Sequence, residues 1–128
     1  MNPKKLMKFA LDTGTLMLRS GAETSRVEDT MIRILATSGY QVTEAFATLT
    51  GLFVTIDDPA IEMLTQVKRI THRAINLKRI ELANDLSRRF CEGQITLENA
   101  MSELDQIGKT TPYNEFFQAF SISFAASS

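Results

Sequence analysis

Apolar residues along this chain recur first at helical spacing, then at every second position, then at helical spacing again. Leu6, Phe9, Ala10, Thr13, Leu16 and Met17 turn one face of a helix over residues 3–20 toward a core. Pro3 suits its first turn and Gly21 the position just past its end. Ser25 and Glu28 then have the spacing of a capping box, and Val27, Met31, Ile34 and Leu35 form the buried stripe of a second helix that stops at Gly39. From there the period changes. Tyr40 to Thr48 alternates, with Val42, Glu44 and Phe46 on one side. Leu49 to Ile56 is rich in β-branched and aromatic residues, Asp57-Asp58-Pro59 marks a turn, and Ile61 to Val67 makes a third strand. Connections this short predict an antiparallel meander, because a parallel pair needs a crossover of about a dozen residues or more.

Helical spacing returns at Asn76, a good N-cap, where Ile75 and Ile80 have the spacing of a hydrophobic staple. Leu77, Ile80, Ala83, Leu86 and Phe90 form the expected buried stripe, which Gly93 ends. Thr96 caps a shorter helix carrying Leu97, Ala100, Met101, Leu104 and Ile107 and ended by Gly108. The order ααβββαα predicts an α+β fold, with helices packed on one face of a small three-stranded antiparallel sheet and an apolar segment at the C-terminus. No internal repeat or low-complexity linker interrupts it.

Composition narrows the function. A chain of 128 residues, 44% hydrophobic and 23% charged, is one ordinary folded domain. Fourteen Lys and Arg against fifteen Asp and Glu leave a net charge of -1, so no basic excess exists to neutralise phosphates and nucleic acid is not an expected partner. The single Cys91 has no partner for an internal disulfide, which suits a reducing compartment. Three early lysines are not followed by a signal-type apolar run, since Arg19 interrupts the only candidate. The segment from Phe116 to Ser128 carries no charge and includes Phe116, Phe117, Phe120 and Phe124. It reads either as a soluble amphipathic helix, with Phe116, Phe120 and Phe124 on one face, or as the first half of a membrane span, which needs roughly 20 residues.

Three stretches stand out for their chemistry: Gly21-Ala-Glu-Thr-Ser-Arg-Val-Glu28, Thr48-Leu-Thr-Gly51, and Arg69-Ile-Thr-His-Arg-Ala-Ile-Asn-Leu77. Glu23, Arg26, Glu28, Arg69, Arg73 and Asn76 admit two readings. In one they form a polar site where two helix starts converge, arginines and free backbone N–H groups holding a carboxylate while Glu23 meets an amino group. In the other they form a salt-bridge network, with Arg69 or Arg73 paired to Glu23 or Glu28. Thr48 and Thr50 either line a pocket or are ordinary strand threonines beside a bend at Gly51. His72, the only histidine, reads as a loop residue making one hydrogen bond, and Cys91 as a half-buried spectator. Asp57-Asp58 reads as a turn, since one carboxylate pair is too few ligands for a tight calcium site. No phosphate-binding loop, dinucleotide fingerprint, nucleophile elbow or His-based metal cluster is present, and no cofactor is expected.

The three stretches together, in this order and spacing, resemble the bacterial threonine/serine exporters, whose hydrophilic N-terminal domain carries G-A-E-T-x-R-V-E, T-x-T-G and R-x-x-x-R-x-I-N-L elements. The resemblance covers roughly residues 6–124. It implies a cytosolic domain over residues 1–111 at the inner face of the plasma membrane, and the start of a first transmembrane helix at 112–128. It further implies an accessory or regulatory role beside a membrane-embedded remainder that does the transporting. An amino acid or a dicarboxylate is the implied ligand. The other classes left open are a small-molecule hydrolase using Glu23 or Glu28 as base, and an assembly module that forms a homo-oligomer.

Overall fold

The computed structural model describes residues 2–109; the apolar segment 112–128 lies outside them. Seven elements follow in the expected order: α1 (Pro3–Arg19), α2 (Thr24–Ala36), β1 (Val42–Ala47), β2 (Gly51–Asp58), β3 (Ile61–Arg69), α3 (Leu77–Cys91) and α4 (Leu97–Lys109). The strands form an antiparallel sheet in the order β1-β2-β3, and α1 and α2 cover one face of it, with α3 and α4 packed behind α1.

Helix α1 is the centre of the core. Asn2 caps it, its side-chain oxygen accepting from Lys4 N at 2.9 Å, and Leu6, Met7, Phe9, Ala10, Met17 and Leu18 are wholly buried. At Gly14 the helix crosses so close to its neighbours that a Cβ would stand 2.7 Å from Met31 Sδ and 3.2 Å from Leu52 Cδ1. A side chain there would force Met31 and Leu52 to shift, so glycine lets α1 lie close to both α2 and β2. The helix ends where Gly21 takes φ +103°, which bends the chain directly into α2.

On the sheet, Ala45, Leu52, Val54 and Ile56 face the helices and are buried. Val42, Glu44 and Phe46 do share a side, and it is the uncovered one. Phe46 pairs with Phe53 and Phe53 with Val67, so three apolar side chains form one cross-strand row in which Phe46 and Val67 are each 59% exposed. Asp58 closes the β2–β3 turn, its carboxylate accepting from Ala60 N at 2.9 Å and from Gln41 N at 2.8 Å.

Helices α3 and α4 pack on α1, where Phe90 meets Phe9 edge-to-face at 5.1 Å. The Asn76 side chain accepts from Arg79 N at 3.1 Å and Thr96 Oγ1 from Asn99 N at 3.2 Å, so both expected caps form. Two expectations fail at the start of α3. Leu77 is 72% exposed and leaves the buried stripe, and Ile75, 75% exposed, lies against Gly21 rather than acting as a core-side staple. Helix α4 also runs through Gly108 to Lys109 instead of stopping at the glycine.

The α3–α4 pair is clamped by charge. Asp85 accepts from Arg88 at 2.7 Å and from Arg89 at 2.9 Å, while Arg89 also grips both oxygens of Glu103 on α4. The hydrogen bond from Arg88, then that from Arg89, holds the Asp85 carboxyl below its ordinary value. A carboxylate whose pKa is lowered by folding contributes stability that is complete above its unfolded value and is lost as pH falls through the folded one. The urea midpoint is therefore expected to drop as pH falls below about 4, the ordinary aspartate range. Asp85→Asn should remove part of that slope; an unchanged slope in the variant would show that the clamp adds nothing.

Candidate functional site

The three motif stretches meet at one end of the molecule, and hydrogen bonds to the main chain close them into a ring. Glu28 on α2 accepts from Ala47 N at 3.0 Å, tying the first stretch to the end of β1. Ile70 N donates to Thr50 O at 3.0 Å, tying the second to the third. The strap from Thr71 to Asn76 then crosses the C-terminus of α1, with Ala74 N donating to Arg19 O at 2.9 Å and Asn76 N to Ser20 O at 3.0 Å.

This ring assigns most of the candidate side chains to structure. The expected Ser25–Glu28 capping box does not form: Glu23 is the N-cap of α2, with no side-chain cap bond, and the Glu28 carboxylate is committed to β1. Thr48 Oγ1 accepts from Gly51 N at 3.1 Å and from Thr50 N at 3.3 Å, which makes both threonines part of the hairpin turn. Arg73 donates to Leu18 O at 3.4 Å and Arg19 to His72 O at 3.1 Å, so these guanidiniums satisfy carbonyls around the α1 terminus. Neither Arg69 nor Arg73 pairs with Glu23 or Glu28, and the salt-bridge network anticipated from the sequence is absent among the described residues. His72 contributes its carbonyl oxygen. Cys91 is half-buried, and burial pushes its thiol up, against the opposing pull of Arg33. No group of His, Cys, Asp and Glu among the described residues could hold a metal ion.

Of the rest, Arg69 is exposed at the end of β3 and lines no concavity with the other candidates, and Glu23 and Arg26 remain. Their side chains have no hydrogen-bond or ion-pair partner among the described residues, and both line one open concavity of about 600 Å³ between the start of α2 and the first turns of α3. Gly21 and Ala22 border the same concavity, and α3 supplies Leu77, Ile80, Glu81 and Asn84. Glu81 is held only loosely, with Lys78 Nζ at 3.9 Å. Next to Leu77 in sequence, Asn76 is 4% exposed and its side-chain amide nitrogen is without a partner, as is the buried Ser20 hydroxyl, though neither residue lines the concavity. The concavity therefore offers one guanidinium, two carboxylates, an amide and an apolar wall. Glu81 and Asn84 were not singled out from the sequence; their signal is the spacing that puts them on the face of α3 already occupied by Leu77 and Ile80.

Among the described residues no helix is long and apolar enough to cross a membrane. No curated protein and no solved structure matches the chain. A sequence model of the ThrE family, described as "Putative threonine/serine exporter", matches residues 8–128, a span that takes in all three motif stretches and every strand and helix from the second turn of α1 onward. The chain belongs to this threonine/serine exporter family.

Proposed function

We propose that residues 1–111 form a cytosolic accessory domain of an amino-acid exporter, that residues 112–128 open its first transmembrane helix, and that the domain binds the exported amino acid without transporting it. The observation that carries the binding role is that the unpaired Arg26 lines one concavity together with two carboxylates, Glu23 and Glu81. Arg26 takes the α-carboxylate of the ligand, Glu23 or Glu81 takes the ammonium, Asn84 meets the side-chain hydroxyl, and Leu77 with Ile80 accommodates a methyl group. Threonine, a zwitterion with a short hydroxylated side chain, satisfies all four, and serine, which lacks the methyl, satisfies the other three.

The rest of the surface supports an aqueous setting. Each helix carries an exposed ion pair one turn apart: Lys8–Asp12, Asp29–Arg33, Arg88–Glu92 and Asp105–Lys109. Lys109 stands just before the proposed span, on the side where positive charge belongs for a cytosolic domain. The Phe46–Phe53–Val67 row on the bare sheet face is the surface through which this domain would meet the membrane-embedded remainder; a homo-oligomer would cover the same row.

Isothermal titration with threonine, serine and succinate tests the binding role. Threonine and serine are expected to bind at millimolar concentration or tighter, succinate not at all. Arg26→Ala should weaken binding by about tenfold or more, the ratio that 1.4 kcal/mol represents. A folded domain giving no heat with either amino acid would end this reading, and binding of succinate alone would move the ligand to dicarboxylates.

A further inference from the structure

A second cavity, of about 610 Å³, opens between α1, the end of β3 and the α3–α4 pair, away from the amino-acid site. Its walls are apolar at Phe9, Leu16, Met101 and Leu104. Five cationic side chains and two carboxylates also line it. Lys8 is paired to Asp12 at 2.8 Å and Lys109 to Asp105 at 3.1 Å, which leaves Arg19, Lys68 and Arg79 with no carboxylate partner among the described residues.

Two further observations single out these three cations. Lys68, exposed on the edge strand β3, pairs with Leu52 and so stands on the same side of the sheet, where it lines the cavity. In addition, Arg79 Nε and Thr15 Oγ1, both shut off from water and both belonging to residues that line the cavity, have no hydrogen-bond partner. Arg79 spends one other nitrogen on Gly108 O at 2.9 Å and Arg19 spends its Nε on His72 O, so each guanidinium keeps donors to offer. Like charges gathered on a low-dielectric wall focus a positive field that an anion relieves.

We infer that this cavity binds an amphipathic organic anion, its charged head held by Arg19, Lys68 and Arg79 and its apolar body laid against Leu16, Met101 and Leu104. The chemistry is shared by a free organic acid and by an anionic lipid. It is independent of the amino-acid site, whose one arginine shares its concavity with two carboxylates.

The 128-residue chain is titrated with hexanoate and with hexanol, which has the same apolar body and no charge. Hexanoate is expected to bind about tenfold more tightly than hexanol, the ratio appropriate to charge-assisted contacts. Lys68→Gln, which breaks no internal bond, should abolish that difference while the circular dichroism spectrum and urea midpoint stay unchanged; Arg19→Gln should act in the same direction. Hexanoate is then competed with vesicles of phosphatidylglycerol or phosphatidylcholine. Displacement by phosphatidylglycerol alone assigns the anion to the lipid, and displacement by neither assigns it to soluble acids; either result supports an anion site. No binding of hexanoate, equal binding of hexanol, or unaltered hexanoate binding by Lys68→Gln overturns the inference.

Discussion

Replacing Phe9 with alanine is expected to lower the stability of the domain by about 3–5 kcal/mol, the range for truncating a fully buried aromatic. Phe9 is wholly buried on α1 and its ring packs edge-to-face on Phe90 of α3. Alanine removes the transfer term and leaves a cavity between two helices that the clamped α3–α4 pair holds at a fixed separation, so little collapse can offset the loss. Ordinary domains have about 5–15 kcal/mol in total, and this one change would consume a large share of it. The urea midpoint of the variant measures the effect. Phe9→Leu, which keeps most of the volume, should cost much less. A loss under about 1 kcal/mol for Phe9→Ala would mean that α1 and α3 are not in contact through this pair.

Most of the fold was legible because its signals are local. The spacing of Leu6, Phe9 and Met17, the caps at Asn76 and Thr96, and the short connection at Asp57-Asp58-Pro59 each depend on neighbours a few residues away, and all three kinds of signal hold in the structure. The misreadings arise where a distant group competes. Ser25 and Glu28 have capping-box spacing, but Ala47 N, contributed by β1, takes the Glu28 carboxylate. Arg73 was matched with acids by charge, yet the strap carries it over the end of α1, where it shares the Leu18 carbonyl with Gly21 N. Leu77 and Ile75 are apolar and in phase with the stripe. They precede the part of α3 that α1 covers, and periodicity cannot tell where along a helix its cover begins.

The candidate site was legible to the same depth. Glu23 and Arg26 were visible as a motif, and the three stretches do converge at one end of the molecule. Composition and spacing could not divide the motif into residues that hold the corner together and residues left free to bind. That division depends on which side chains the backbone itself occupies: Thr48, Arg73 and Asn76 are engaged, whereas Glu23 and Arg26 are not. Lys68 is exposed, as a lysine on an edge strand is expected to be, and only its pairing with Leu52 puts it on the side of the sheet where the second cavity opens.

Glu28→Ala is expected to destabilise the domain by about 1.5–3 kcal/mol, the range for a hydrogen bond to a charged group, because it leaves the Ala47 N–H at the α2–β1 seam without its acceptor. Glu28→Gln keeps an oxygen that can accept the same bond at 3.0 Å, so its cost should stay under about 1 kcal/mol, the difference between a charged and a neutral acceptor. The pair of variants separates two roles for this motif glutamate. A carboxylate acting as a general base loses its function completely in both, since an amide accepts no proton at neutral pH. A strut fails in alanine and survives in glutamine. Urea midpoints following the order wild type, glutamine, alanine, with threonine binding kept by the glutamine variant, fit the strut that joins the first motif stretch to the sheet. Equal stability of all three proteins would show that the seam does not depend on Glu28, and the ring that brings the motif stretches together would lose the link between α2 and β1.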